Sequence, residues 1–497
     1  MYKLCMNLSP QLTPGQRAFF SDLARTAFCN PFSAQRQELD LKLSGADPRL
    51  DRIAITRAAM ARIKERVAEL EATGGGDFTR FAAQDAAILR TSFLFEIFHD
   101  FMGEFDDHIR SQLQAGDKTV PLPCAGKALA AFAHRGFAEP EAHRYLAFFF
   151  QLRRAFFFIN RDLVGDSPCM NAFRCRLWNN LFTHDIQWFE GYLWDRMEDF
   201  STLLLGETGT GKGAAAAAIG RSGHIPFDAK SGRFSECFTR NFISCNLSQF
   251  PESLLESELF GHKKGAFTGA VADYQGIFAR CSRHGAIFLD EIGDLAVPVQ
   301  IKLLQILQER SFSPVGGHDR LRFSGRVIAA TNRPIQRLRR EGKFRDDFYY
   351  RLCSDVIEVP SLRQRIGEHP AELRVLLERV LERIVGGSRP ELAQALGEIL
   401  ERTLGRAYPW PGNVRELEQA VRRILLSGEY QGEIAEASAP DADLFAQKVG
   451  RGELTAAELV ASYCDMLHQR HGSCEKVARI AGLDRRTVRK HLDSLKD

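Results

Sequence analysis

The strongest chemical signal in the chain is a glycine-rich run, GETGTGKG, at Gly206–Gly213. It follows an apolar stretch, Ser201–Leu205, and leads into the alanine-rich Ala214–Ile219. Gly206, Glu207, Thr208, Gly209, Thr210, Gly211 and Lys212 have the spacing of a P-loop. Glycines there let backbone N–H groups turn inward around phosphate oxygens, and Lys212 supplies a cation for the β- and γ-phosphates. A helix beginning at the loop adds the favourable end of its dipole. Strand, loop, lysine and helix in this order point to nucleotide binding rather than to an empty glycine turn. Gly213 occupies the place where such loops usually carry Ser or Thr, so no hydroxyl is available there for Mg2+.

A second apolar strand, Ala286–Glu291 (AIFLDE), ends in two acids. In isolation these read as solvated strand-end carboxylates. Downstream of a P-loop, Asp290 suits a Mg2+ held through water, and Glu291 suits a group that orients and polarises an attacking water. A third apolar run, Val327–Ala330, ends in Thr331-Asn332, short polar groups able to touch a γ-phosphate. Arg345 and Arg351 lie in FRDDFYYRL. From spacing alone they read as surface or ion-paired arginines, although a guanidinium fork also suits a developing phosphoryl charge supplied from a neighbouring subunit.

The elements that must position these groups fall into zones. Residues 1–170 read as a mostly helical region: Ile53, Met60, Ile63, Val67 and Leu70 recur at helical spacing, and the pattern stops at Gly74-Gly75-Gly76. Residues 171–432 alternate short apolar strands with helices, as an α/β domain does, and end in a helical segment. Residues 433–453, rich in Ala, Glu, Ser, Pro and Gly, read as a linker, and 454–497 as a small helical unit.

Bulk composition limits the remaining options. With 497 residues, 44% hydrophobic and 26% charged, the chain can bury several cores. A net charge of +3 excludes a generally basic nucleic-acid coat. The most aromatic stretch, AFFFQLRRAFFFIN (Ala147–Asn160), is interrupted by Arg153 and Arg154 and reads as a buried helix, not a membrane span. The first residues carry no signal-peptide pattern. The eleven scattered cysteines, without a CxxC pair, suit reduced thiols in a cytoplasm and argue against a zinc site.

Gly472–Leu492 (GSCEKVARIAGLDRRTVRKHL) has the pattern of a helix–turn–helix. Val477, Ala478, Ala481 and Leu483 supply a small core, Gly482 the turn and Asp484 an N-cap. Val488, Leu492 and Leu495 share one face of the second helix, which leaves Arg485, Arg486, Arg489 and Lys490 to meet DNA. Between Ser473 and His491 six Lys/Arg oppose two acids. A solvated amphipathic helix would look similar on pattern alone, and the arginines cannot be divided between base and phosphate contacts.

ESELFGHKKGAFTGA (Glu256–Ala270) resembles the signature of the sigma-54-dependent activators, or bacterial enhancer-binding proteins, which are AAA+ ATPases. The resemblance covers about 171–432 and the C-terminal unit, not the first 170 residues. It implies a Walker A loop at Gly206–Lys212 and Walker B acids at Asp290-Glu291. It implies that Asn246 restrains the catalytic glutamate, that Thr331-Asn332 is sensor I, that Arg345 and Arg351 are arginine fingers and that Arg415, in WPGNVRELEQAV, is the sensor II arginine of a helical lid. Gly265, Ala266, Phe267, Thr268, Gly269 and Ala270 match the loop that touches sigma-54, with Phe267 and Thr268 near its tip, and a second pore-side loop is implied near Phe312–Gly317. The glycines flanking Phe267 give that loop its mobility, and an exposed aromatic tip is costly without a partner. The family often carries Glu at the position of Gly213, and usually two prolines where this chain has VPSLRQR (Val359–Arg365). The C-terminal unit resembles the Fis-type domain that ends many of these activators.

The expected fold is therefore multidomain: a helical N-terminal regulatory region, an α/β AAA+ P-loop ATPase core with a helical lid, and an all-α C-terminal helix–turn–helix. The expected activity is hydrolysis of ATP with Mg2+ in a homo-oligomeric ring, a hexamer by resemblance. Partners are double-stranded DNA and RNA polymerase carrying sigma-54, in the cytoplasm and at the nucleoid, with no membrane. The competing reading is a DNA-binding regulator whose nucleotide-binding domain serves only as an oligomerisation switch. Residues 1–170 show no receiver-domain pattern of strand-end acids and lysine, so phosphorelay control is not expected. What they sense, and whether they repress or activate, is not written in the sequence.

Overall fold

The computed structural model describes residues 10–432, 449–450, 452 and 454–493. Two compact units, divided after Gly428, make up the chain.

The first unit opens with eight helices: α1 (Pro14–Phe28), α2 (Ala34–Ser44), α3 (Arg52–Ala72), α4 (Ala83–Asp100), α5 (Met102–Ala115), α6 (Ala125–Arg135), α7 (Glu139–Asp162) and α8 (Pro168–Phe182). Local chemistry sets several of their ends. Thr13 and Gln16 form a capping box before α1, and the Asp51 carboxylate caps α3 by accepting from Ala54 N–H. Ile63, Val67 and Leu70 are buried along α3 as their spacing predicts. Ile53 departs from the pattern and is 72% exposed. The aromatic stretch is a buried helix, as expected: Phe148, Phe149, Phe150 and Phe158 of α7 are in the core. No helix among the described residues is long and apolar enough to cross a membrane.

A short α9 (Ile186–Trp188) leads to the sheet strand β1 (Thr202–Leu205) and to α10 (Lys212–Gly220). Then come β2 (Phe227–Asp228), β3 (Arg233–Phe234), β4 (Phe242–Asn246), α11 (Glu252–Phe260), α12 (Ile277–Arg280) and β5 (Ala286–Asp290). Next are α13 (Val297–Glu309), β6 (Ser311–Phe312), β7 (Leu321–Arg322), β8 (Arg326–Thr331), α14 (Ile335–Arg340), α15 (Asp346–Leu352) and β9 (Asp355–Glu358). The helices α16 (Leu362–Glu368), α17 (Glu372–Val385), α18 (Pro390–Leu404) and α19 (Asn413–Ser427) close the unit. The five-stranded sheet has the order β4-β5-β8-β1-β9, and every pairing in it is parallel. Buried on both faces, the central strands β1, β5 and β8 are apolar runs rather than alternating ones, while the edge strands β4 and β9 are only partly buried.

One face of the sheet packs on α11, α13 and α15 through Leu259, Leu303 and Phe348. The other face carries α10, whose Ala215, Ala216 and Ala218 allow close approach, and beyond it the N-terminal helices share the same core. Arg154 of α7 is wholly buried and donates to the carbonyls of Arg221 and Gly223 at 2.8 and 2.6 Å, just past the end of α10. Its guanidinium also lies over the Phe150 ring, 4.6 Å from the centroid, and burial pulls its pKa down to about 9. Within the closing helices α16–α19, which stand where the helical lid was expected and are called the lid below, Glu372 and Arg365 are both buried and paired at 2.7 Å. Glu372 also accepts from the backbone N–H groups of Asp166 and Ser167, and Arg365 donates to Val164 O. The expected boundary at 170/171 falls inside α8, and the helical region and the sheet share a continuous core.

The second unit contains helices Ala456–His471, Cys474–Ala481 and Arg485–Asp493. Cys464, Leu467, Val477 and Val488 are its buried centre, with Ala478, Ala481, Leu483 and Leu492 packed against them. Gly482 takes φ +65°, and Asp484 accepts from Arg486 and Thr487 N–H at 2.8 and 3.0 Å. Arg485 is not free: it pairs with Glu475 at 2.9 Å. Leu495 and most of the 433–453 linker lie outside the described residues.

Candidate nucleotide site

The parallel sheet brings the P-loop, the strand-end acids and the lid together because all three follow C-terminal strand ends or close over them. β1 runs into Gly206–Gly211, and β5 ends at Asp290 with β8 between them. A cavity of about 470 Å³ is lined by Thr208–Ala214, Asp290, Glu291 and Arg415. Leu163, Val164, Met170 and Phe173 from the N-terminal region, with Leu376 and Val380 of the lid, give it an apolar side. Arg161, Arg379 and Arg383 add positive charge. The site is thus polar and cationic at the loop and apolar where the N-terminal region meets the lid, which matches a phosphate chain with a flat base attached.

The Lys212 ammonium donates to the carbonyls of Gly206 and Glu207 at 2.8 and 3.0 Å. Burial lowers its pKa, and the charges of Glu291 and Asp290 oppose that shift. Gly209 (φ +79°) and Gly211 (φ +104°) need the left-handed region. At Gly209 a Cβ would also come within 2.1 Å of Gly412 O. That close approach seats the lid on the loop: Val414 N–H donates to Gly209 O at 3.1 Å, and the Asn413 amide donates to Thr208 O at 3.0 Å and to Glu207 Oε2 at 3.1 Å. Arg363 grips the other side of Glu207 and, with Asn413, holds its carboxyl below the usual range. Neither Arg363 nor Asn413 was singled out from sequence. The only signal was their place in otherwise recognisable stretches, VPSLRQR and WPGNVREL.

Glu291 takes φ +58°, a left-handed conformation that costs a non-glycine residue about 1–3 kcal/mol. Its Oε2 is buried without a hydrogen-bond partner among the described residues. An unpaired carboxylate oxygen held by a strained backbone beside Lys212 is what a water- or cation-directed group requires. Asp290 accepts from Glu291 N–H at 3.1 Å. Asn246 stands opposite Asp290 across β4 and β5, and its side chain accepts from Ser248 N–H and Oγ–H rather than reaching Glu291. The Asn332 amide donates to Thr208 Oγ1 at 2.9 Å, and the buried Thr331 hydroxyl oxygen accepts from Arg333 N–H.

Arg345 and Arg351 do not line this cavity. Arg345 is paired with Asp347 at 2.7 Å, which raises its pKa, and Arg351 donates to Leu307 O at 2.8 Å. Gly213 lies at the first turn of α10, and a Cβ there would meet nothing within 4 Å. The groups present fit a triphosphate with Mg2+: Lys212, a loop turned by the left-handed Gly209 and Gly211, Asp290 and the unpartnered Glu291 oxygen.

Asn246 leads through α11 into the Gly265–Ala270 loop. Gly265 (φ +83°) and Gly269 (φ +101°) bound it, and Gly265 N–H donates to Ala270 O at 2.8 Å. Phe267 is 37% exposed, with its ring edge-on to His262 at 4.9 Å, and Thr268 is exposed. The neighbouring 314–317 turn abuts the loop: Lys263 N–H donates to Val315 O at 3.0 Å, and a Cβ on Gly316 would come within 2.7 Å of Ala266.

Residues 195–358 match the family model described as the sigma-54 interaction domain. HoxA, a hydrogenase transcriptional regulatory protein of Cupriavidus necator, is 42% identical over 257 residues, covering 51% of this chain and 48% of HoxA. The regulatory protein AtoC of Escherichia coli is 35% identical over 300 residues, covering 58% of this chain and 61% of AtoC. The DNA-binding transcriptional regulator NtrC of Azospirillum brasilense is 35% identical over 331 residues, covering 60% and 65%. The chain therefore spans from just under half to just under two thirds of the length of these curated relatives.

Proposed function

We propose, from the match of residues 195–358 to the sigma-54 interaction domain and the similarity to HoxA, AtoC and NtrC, that this chain is an ATP-driven transcription activator. It binds upstream DNA through 454–497, assembles into a ring and uses ATP hydrolysis to remodel the closed promoter complex of sigma-54 RNA polymerase. The observation that carries this reading is the meeting, in one cavity, of Lys212, Asp290 and the strained, unpartnered Glu291.

In this reading the Gly206–Gly211 N–H groups and Lys212 hold the phosphates of ATP, while Leu163, Val164 and the lid residues Leu376 and Val380 flank the base. Asp290 would hold Mg2+ through water, and the ion, when bound, would neutralise charge on the phosphates. Glu291 orients the attacking water and draws its proton toward Oε2. Arg415 stabilises the phosphate charge from the lid. Arg345 and Arg351 act on the neighbouring protomer's nucleotide, so Arg345 exchanges Asp347 for that charge when the ring forms. Asn332, bound to Thr208, and Asn246, at the head of the segment leading to Gly265–Ala270, register phosphate loss. Movement of that segment raises Phe267 and Thr268 toward sigma-54. Arg489, Arg486 and Lys490 supply the positive face for DNA; Arg485 joins them on giving up Glu475.

A reconstituted promoter-opening assay tests this directly. Thr268→Ala should hydrolyse ATP at the parent rate and fail to open promoters, whereas Glu291→Gln should lose both activities. Normal opening by Thr268→Ala would remove the loop's role. An unchanged phosphate-release rate in Glu291→Gln would favour a nucleotide-dependent oligomerisation switch instead.

A further inference from the structure

A second cavity, of about 720 Å³, opens among α1, α2, α3, α4, α7 and α8 in the N-terminal region. It shares no lining residue with the nucleotide site. Its size falls within the range of small-molecule sites, and its wall has the matching composition: mostly apolar with a few convergent polar groups. Phe28, Leu94, Phe98, Phe149, Phe156 and Trp178 form its apolar body. Ile53, 72% exposed where the helical pattern called for burial, stands in the same lining.

The polar groups in the wall are unequally charged. The guanidiniums of Arg36, Arg52, Arg57 and Arg153 face two carboxylates, Asp40 and Glu190. Arg36 is taken by Asp40 at 2.8 Å, and Arg153 by Asp106 through two contacts of 2.6 Å. Glu190 is taken by Tyr145 and Arg144. Among the described residues, no carboxylate lies within ion-pairing distance of Arg52 or Arg57; Arg52 donates only to Pro31 O. His99 donates from Nδ1 to Phe95 O at 2.8 Å, which fixes its tautomer and leaves Nε2 as an acceptor. Both arginines are exposed to solvent, and Asp40 acts on Arg52 through space without pairing with it; an apolar chamber edged by two guanidiniums that no carboxylate pairs with is complementary to a molecule with an apolar body and one anionic group.

We propose that this cavity is a binding site for an apolar monocarboxylate, aromatic or aliphatic. Its carboxylate pairs with Arg52 and Arg57, and its body lies against Phe98, Phe149 and Phe156. The site is independent of the ATPase reading, because occupancy is measured by direct binding.

The test is calorimetric titration of the full chain with octanoate, dodecanoate and naphthoate, each beside its uncharged primary amide. At least one acid should bind saturably at one site, with its amide weaker by about tenfold or more, as loss of a charge-assisted pair demands. Arg52→Gln combined with Arg57→Gln should bring the acid down to the amide's affinity. The Arg52→Lys, Arg57→Lys pair should retain most of the preference. Met60→Trp, which fills the chamber, should abolish binding of both. Melting curves establish that each variant is folded. Failure of every acid to saturate, equal affinity for acid and amide, or an unchanged acid preference in the double glutamine variant would each overturn the proposal.

Discussion

Replacing Glu372 probes the joint between the helical region and the lid. Its carboxylate is wholly buried and serves Arg365 at 2.7 Å together with the backbone N–H groups of Asp166 and Ser167 at 2.7 and 3.2 Å. Glu372→Ala strands a buried guanidinium, the buried Ser167 N–H and the part-buried Asp166 N–H. Breaking a buried pair by removing one partner costs about 3–5 kcal/mol. Glu372→Gln keeps one acceptor oxygen and loses the charge, so it should cost roughly 1.5–3 kcal/mol. Replacing both partners with apolar residues, Arg365→Met with Glu372→Leu, should recover much of the alanine loss. The same segment, Leu163 and Val164, lines the nucleotide cavity, so KM for ATP should rise in Glu372→Ala. Denaturant unfolding followed by circular dichroism, with steady-state ATPase at several ATP concentrations, measures both effects. A Glu372→Ala protein within about 0.5 kcal/mol of the parent, in the range of ordinary surface changes, would refute the claim that this contact holds the lid to the helical region.

Gly213→Thr places a hydroxyl where a Cβ has open space. It should fold normally and lower the Mg2+ concentration for half-maximal ATPase, and an unchanged or raised Mg2+ requirement would contradict the assigned geometry. His108 is 4% exposed, and burial, with Arg154 nearby, lowers its pKa from 6.5 to about 4. The unfolded chain therefore takes up a proton below pH 6.5 that the folded chain refuses until about 4, so stability falls as acid is added across that window. His108 contributes a loss of up to about 1.4 kcal/mol per pH unit; His99 and His224, lowered by burial to about 3 and about 4, add their own, so His108→Gln should make the slope shallower by that one share in melts recorded from pH 7 downward. Arg489→Ala should weaken DNA binding and lower the salt slope by about one, without changing the melting temperature, as anisotropy titrations at several ionic strengths would reveal.

Legibility in the sequence followed how local each physical demand is. The P-loop was readable because phosphate binding requires glycines and a lysine within a few residues, and those residues form the turn that the cavity uses. The strand ending in Asp290-Glu291 was readable because a strand buried on both faces is a continuous apolar run. The left-handed backbone of Glu291 was not, since nothing in the identity of a glutamate announces a positive φ. Arg153 and Arg154 look alike in sequence, two charges breaking a phenylalanine run. One finds a carboxylate on α5, and the other is buried against the carbonyls that end α10. Which arginine goes where depends on helices dozens of residues away. The Glu372 tie joins side chains to backbone more than two hundred positions earlier in the chain, where no pattern reaches. Asn413 and Arg363, which seat the lid on Glu207, were missed for the same reason. The position of Ile53 on the α3 repeat predicted burial, and the open chamber beside it explains why the pattern failed there.

The central claim is that energy released at Glu291 is delivered to sigma-54 through the Gly265–Ala270 loop. Its most direct test is co-sedimentation of purified sigma-54 with the Glu291→Gln protein held in excess ATP and Mg2+, beside the same protein carrying Phe267→Ala. A sigma-54 complex should form with the first, dependent on ATP, and none with the second. Absence of any complex with Glu291→Gln, when nucleotide binding is demonstrated in the same sample, would contradict it.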